Sequence, residues 1–243
     1  MIAVGRGRRI GLAVVAAGVL VAGLPASNAR AVVSTALCPD VEVVTVRGQG
    51  EPAGPGWVMG PIVDTLQQQL PDGVSSYPLP YAAGQDLVAN VNEGIGLLVR
   101  HLGQKSTQCP GTQYVVIGFS LGALVVGEAF ARPASRYPGV VKTAIPKRVD
   151  PHLVAAIMLG DARFNSHGPE AAGTFWPGVD ALNARPANSF ARWGDHVRNI
   201  CNAQDGICQN ILPTQSTELA HQDYVKYRDQ LTSYVAGTIS TMP

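Results

Sequence analysis

The chain has 243 residues, 46% of them hydrophobic and only 14% charged, where about a quarter charged is usual for a soluble domain. With 18 Lys/Arg against 17 Asp/Glu, the balance excludes a disordered chain, which combines low hydrophobicity with high net charge. It also excludes a general nucleic-acid binder, which needs basic runs to meet phosphates.

The chain opens with a three-part export pattern over residues 1–31. Arg6, Arg8 and Arg9 precede an uncharged run, Ile10 to Leu24, of 15 residues; Pro25 and an A-x-A site at Ala29-Arg30-Ala31 follow. The run is shorter than the ~20 residues of a membrane-spanning helix, and no second apolar run approaches that length. A cleaved signal is therefore expected, with a secreted or cell-envelope location and no membrane span afterwards. Residues 32–243 then form one domain of 212 residues with 14 bases and 17 acids, large enough to bury roughly 70% of its unfolded surface.

Val41 to Val46 is short and β-branched and runs into Arg47-Gly48-Gln49-Gly50, which reads as a buried strand entering a tight loop. Trp57 to Leu70 has helical periodicity and is stopped by Pro71-Asp72-Gly73. Val74 to Leu79 reads as a second strand, and Asp86 to Leu102 as a helix with apolar positions from Leu87 to Leu102. Tyr114 to Phe119 is a third strand, followed by Ser120 and a small-residue helix to about Ala131. Val154 to Leu159 is a fourth strand, ending at Gly160-Asp161. Phe164 to Ala191 is Gly/Pro/Asn-rich and reads equally as plain loop or as part of the rim of a substrate groove. Val197 to Ile200 is a fifth strand, and His221 to about Ile239 a closing amphipathic helix. Strands alternating with helices predict a three-layer α/β/α sandwich around a mostly parallel, five-stranded sheet. Such sheets place their sites at the carboxyl ends of the strands, so the loops at Gly48, Ser120, Asp161 and Cys201 should share one edge.

Four cysteines follow the signal: Cys38, Cys109, Cys201 and Cys208. In an exported chain an even count predicts two disulfides, with three connectivities open. Cys201 and Cys208 are close enough to clip a local loop, which leaves Cys38 with Cys109. The absence of CxxC pairs and clustered His argues against zinc, and no metal or cofactor is expected.

Gly118-Phe119-Ser120-Leu121-Gly122 is G-x-S-x-G between a strand and a helix, the setting of a nucleophile elbow. A serine nucleophile needs a base, and the base needs an orienting carboxylate. In the order Ser, acid, His, His101 precedes the elbow and His152 sits at the wrong end of a strand, leaving His167, His196 and His221. Asp161, Asp195 and Asp205 all lie near strand ends, and order alone leaves the acid open. Asp161 reads best as a loop cap, Asp195-His196 as an exposed turn, and Trp57, Trp176 and Trp193 as packing residues.

Four segments resemble the cutinase family of secreted serine esterases, its actinobacterial members most of all. They are Cys38-Pro39-Asp40 leading to Arg47-Gly48-Gln49-Gly50-Glu51, Cys109-Pro110 ahead of the elbow, the Cys201 to Cys208 loop around Asp205, and His221-Gln222-Asp223-Tyr224 as H-x-x-Y. The resemblance implies a minimal, lidless α/β-hydrolase with Ser120 as nucleophile, Asp205 as acid, His221 as base and the amides of Gln49 and Leu121 as oxyanion hole. It implies an acyl-enzyme route on acyl esters, lipids or polyesters, with a monomer expected. Two positions depart from the family: Leu121 stands where Gln is usual, and Gln49 where Ser or Thr is usual. The alternatives are a non-catalytic envelope lipid binder on the same fold and an acetylxylan-type deacetylase.

Overall fold

The strands are β1 (Val41–Val46), β2 (Val74–Pro78), β3 (Gln113–Phe119), β4 (Leu153–Leu159), β5 (Ala171–Gly173) and β6 (Val197–Cys201). The computed structural model describes residues 38–70 and 73–242; the export signal and the Pro71-Asp72 helix stop lie outside the described residues. The strands make one sheet in the order β2-β1-β3-β4-β6-β5, and every neighbouring pair is parallel. Every residue of β1 and β4 is buried, as central parallel strands covered on both faces require.

The helices are α1 (Gly60–Gln69), α2 (Leu87–Gln108), α3 (Leu121–Phe130), α4 (Gln215–Gln222) and α5 (Arg228–Thr241). Alternate strand residues face opposite layers. Val44, Val46 and Val116 pack with α2 and α3, while Val43, Ile117 and Ile157 pack with α1 and α5. The result is the expected α/β/α sandwich, with six strands where five were predicted. The extra strand, Ala171–Gly173, is three residues of Ala and Gly at the sheet edge. It carries no β-branched or aromatic residue, so the composition signal for a strand is absent there.

The carboxyl-terminal region also departs from the sequence reading. His221 does not begin the last helix. It lies in the last turn of α4, and a 3-10 turn at Val225–Tyr227 precedes α5. α4 is polar nearly all round, with Thr217 its one buried residue, so it has no apolar stripe to read. A reciprocal cap starts it: the Thr214 side chain accepts from the Thr217 amide at 3.2 Å, and the Thr217 hydroxyl accepts from the Thr214 amide at 2.7 Å.

Cys38–Cys109 and Cys201–Cys208 are both bonded, as the spacing predicts. β1 lies between β2 and β3, so the chain leaves it in one direction and returns on the other side. That reversal opens a crevice at the carboxyl ends of β1 and β3, where the Gly48–Glu51 loop and Ser120 lie.

Candidate active site

The elbow sits at the end of β3. Ser120 has φ 53° and ψ −116°, a conformation that strains a residue with a Cβ. Its amide is held by the Leu159 carbonyl of β4 at 2.9 Å. The flanking glycines answer to close approach. A Cβ on Gly122 would lie 1.7 Å from the Val46 carbonyl oxygen, and one on Gly118 2.3 Å from the Gly122 carbonyl oxygen. The first turn of α3 therefore rests directly on the end of β1, which brings the Gln49 loop beside the serine.

That loop is built from inside. Arg47 is buried and donates to the carbonyls of Glu51 (2.9 Å), Leu79 (3.3 Å) and Tyr81 (2.6 Å). The Glu51 carboxylate accepts from the amides of Gly48 and Trp57. Among the described residues, no hydrogen bond engages the backbone N–H of Gln49 or Leu121. Leu121 is the first residue of α3, where helix amides are free and the dipole favours negative charge.

A continuous hydrogen-bond chain runs from the elbow. Ser120 Oγ is 2.9 Å from His221 Nε2, and His221 Nδ1 is 2.9 Å from Asp205 Oδ2. Asp205 is fully buried. Burial alone would raise its carboxyl, but the hydrogen bond and charge of His221, with further bonds from Tyr224 and the Ile207 amide, outweigh it and hold the group below the usual range. An ionised carboxylate only accepts. His221 Nδ1 therefore carries the proton, and Nε2 presents a lone pair to the Ser120 hydroxyl.

All four acceptor positions of Asp205 are used. Oδ1 accepts from the amides of Ile207 (2.7 Å) and Cys208 (3.2 Å), and Oδ2 from His221 and from the Tyr224 hydroxyl at 2.5 Å. The Cys201–Cys208 bond closes the loop that supplies those amides. Gly160, at the end of β4, has φ +66°, and a Cβ there would lie 2.8 Å from His221 Cε1 and 3.2 Å from Asp205 Oδ2. This glycine lets the His–Asp pair sit against the sheet.

The other candidates lie elsewhere. His101 is buried beside Glu42 at 2.6 Å and stacks on Tyr77. His152 ends a 3-10 turn ahead of β4. His167 is exposed, and His196 faces the Val154 carbonyl. Asp195 is exposed on a 3-10 turn. Asp161 is buried, but in an ion cluster with Arg185, Glu128 and Arg163. Sequence reading missed that cluster, since its members are far apart in the chain and follow no period.

A cleft of ≈ 610 Å³ opens over Ser120 and His221, walled by Gln49, Trp57, Ile207 and Glu218 among others. Trp57 was read as packing. It does pack edge-on against Phe119, with ring centroids 5.5 Å apart, but it is also 48% exposed at the cleft wall. Trp193 is buried against Phe130.

An α/β sandwich with a strained serine between strand and helix, joined to a His–Asp pair, defines a hydrolase of the serine-elbow class. The cutinase family model matches residues 37–239, and the chain belongs to the cutinase family. It is 31% identical over 237 residues to Phospholipase Culp4 of Mycobacterium tuberculosis, covering 97% of this chain and 94% of that protein. It is 29% identical to the probable carboxylesterase Culp2 of the same organism, covering 79% and 72% respectively. The catalytic core of acetyl xylan esterase from Trichoderma reesei shares its fold, with TM-score 0.71 and 24% identity over 83% of this chain and 99% of that one. The chain is thus a serine ester hydrolase.

Proposed function

We propose that residues 32–243, exported after removal of residues 1–31, hydrolyse uncharged short- to medium-chain acyl esters through Ser120, His221 and Asp205. The observation that carries this reading is the unbroken Ser120–His221–Asp205 chain beneath an open cleft. His221 Nε2 takes the Ser120 proton as Oγ attacks the ester carbonyl. The oxyanion forms against the free amides of Gln49 and Leu121. His221 then gives its proton to the leaving alcohol, and an acyl-enzyme remains. Water attacks that ester with His221 again as base, which releases the acid and restores Ser120.

The cleft wall supports the substrate class. Among the described residues it includes the carboxylates of Glu51 and Glu218 and no Lys or Arg, which favours an uncharged group over a phosphate or carboxylate near the scissile bond. Trp57 and Ile207 are exposed apolar wall residues at 48% and 45%, suited to an acyl chain. The two disulfides support export. Mass spectrometry of protein recovered outside the cell should find a chain beginning at Val32; an intact Met1 in all of it would overturn the export reading.

The test is turnover of p-nitrophenyl esters of graded acyl length, with fluorophosphonate labelling. Wild type should be labelled at Ser120, and Ser120→Ala should lose both labelling and turnover. Turnover that survives in Ser120→Ala would sink the triad assignment. A sharp optimum at acetyl would move the substrate from acyl chains to acetylated carbohydrate.

A further inference from the structure

We infer that Tyr224 is a positioning residue for this reaction: its hydroxyl fixes the Asp205 carboxylate in the orientation in which Oδ2 receives His221. The inference rests on the triad reading above and extends it to a residue for which the sequence supplied only a fixed spacing from His221.

Four observations converge. First, the hydroxyl donates to Asp205 Oδ2 at 2.5 Å, the same oxygen that faces His221 Nδ1 at 2.9 Å. Second, the hydroxyl oxygen accepts from the Asn202 amide at 3.1 Å, and the disulfide sulfur Cys208 Sγ, 3.4 Å away, is a far weaker acceptor than the carboxylate. With that lone pair engaged from one side, the O–H is aimed at Oδ2. Third, the side chain is fully buried, and its ring lies 6.0 Å from Phe119 and 6.1 Å from Tyr227. Fourth, burial first, and the Asp205 charge and hydrogen bond after it, hold the phenol well above its usual range, so it remains a donor at every working pH.

The placement is economical. Tyr224 is three residues beyond His221, yet it bonds the loop that carries Asp205. One side chain thus ties the base-bearing segment to the acid-bearing loop. The Asn202 side chain repeats the tie by donating to the carbonyls of Ala220 (2.8 Å) and Asp223 (3.1 Å). Asn202 Oδ1 in turn accepts from the Tyr227 hydroxyl at 2.8 Å. The other ionisable groups nearby are Glu51 and Glu218 in the cleft wall and Asp223, which pairs with Lys226 at 3.1 Å. None of them, nor Tyr227, hydrogen-bonds Asp205.

A shared acceptor has a predictable electronic consequence. Charge that Oδ2 gives to the tyrosine proton is withheld from His221. Removing the donor strengthens the Asp205–His221 interaction, so His221 keeps its proton to higher pH. A stronger donor does the reverse.

The experiment compares wild type, Tyr224→Phe and protein carrying 3-fluorotyrosine at position 224. The fluorinated phenol keeps the shape and donates more strongly. Each is assayed for kcat, KM and the acidic limb of the kcat/KM profile, which reports the free-enzyme base. Tyr224→Phe should lower kcat roughly tenfold, the order set by one hydrogen bond to a charged group, with little change in KM and the acidic limb moved to higher pH. The fluorotyrosine protein should move the limb to lower pH. A residue with only a structural role would lower the melting temperature and leave the limb in place. An unmoved limb in the fluorotyrosine protein, while Ser120→Ala remains inactive, overturns the role of Tyr224 alone. Full turnover in Ser120→Ala overturns the triad reading and this inference with it.

Discussion

Ser120 is held at φ 53° because its surroundings leave it no alternative. Its amide is tied to β4, and the helix behind it rests on the end of β1 through Gly122. Gly160 has the same kind of importance for the His–Asp pair. Gly160→Ala places a methyl 2.8 Å from His221 Cε1 in a left-handed conformation, which by itself costs an L-residue roughly 1–2 kcal/mol. Its kcat should fall more than tenfold while the far-UV spectrum is retained; wild-type turnover would show that His221 can move aside freely. The acid is tested at the same scale. Asp205→Asn should reduce kcat by about 10⁴, the effect of reversing the tautomer in such triads. Asp195→Asn, on its exposed turn, should leave kcat within about twofold. The reverse result would move the acid to Asp195.

At the scale of elements, legibility followed burial. β1, β3 and β4 are uninterrupted apolar runs, and their positions were readable because central parallel strands need both faces covered. The elbow and the disulfide pairing were readable because local chemistry demands particular residues at particular spacings, whereas His221 and Asp205 were singled out only by the family resemblance, since order along the chain left the base and the acid open. β5 and α4 were not readable. One is three small residues at an edge, and the other a polar helix stabilised by its cap and by docking of Thr217. α4 carries His221, so the cap matters beyond stability. Thr214→Ala should cost ~1 kcal/mol, as loss of an N-cap generally does, and should lower kcat more than it raises KM. Thermal melts and steady-state kinetics on one preparation decide this, and an unchanged kcat would show that His221 is held by Asp205 without help from its helix. The loop that carries the acid gives a parallel case. Cys201→Ser with Cys208→Ser should lower kcat, because the amides of Ile207 and Cys208 that hold Asp205 Oδ1 lie within the clip.

The whole molecule is joined across its layers by buried charge, and that sets its response to acid. Arg185 is buried between Glu128 on α3 and Asp161 after β4, and Arg163 also reaches Glu128 at 2.7 Å. Burial would raise the Glu128 carboxyl, but the charges of Arg185 and Arg163 outweigh it and hold the group below its ordinary 4.5. Asp205 is likewise held below its ordinary 3.8. For a carboxylate whose folded value is depressed, the unfolded chain takes up protons first as pH falls. The stability these two groups contribute is therefore fully present above their unfolded values. It is lost as pH falls through the lower folded ones. Glu170 acts in the opposite sense, since burial raises it; its contribution is present below its unfolded value and is lost as pH rises through the folded one. Two buried carboxylates depressed against one buried carboxylate raised predict a protein whose urea midpoint is flat near neutrality and falls below about pH 4. Glu128→Gln removes one of the two. At pH 7 it leaves the Arg185 and Arg163 charges short of a partner and should cost about 3–5 kcal/mol. Its midpoint should then vary less between pH 5 and pH 3 than that of wild type. Parallel urea titrations of both proteins at pH 7, 5, 4 and 3 check this, and equal acid dependence in the two would remove Glu128 as a source of it.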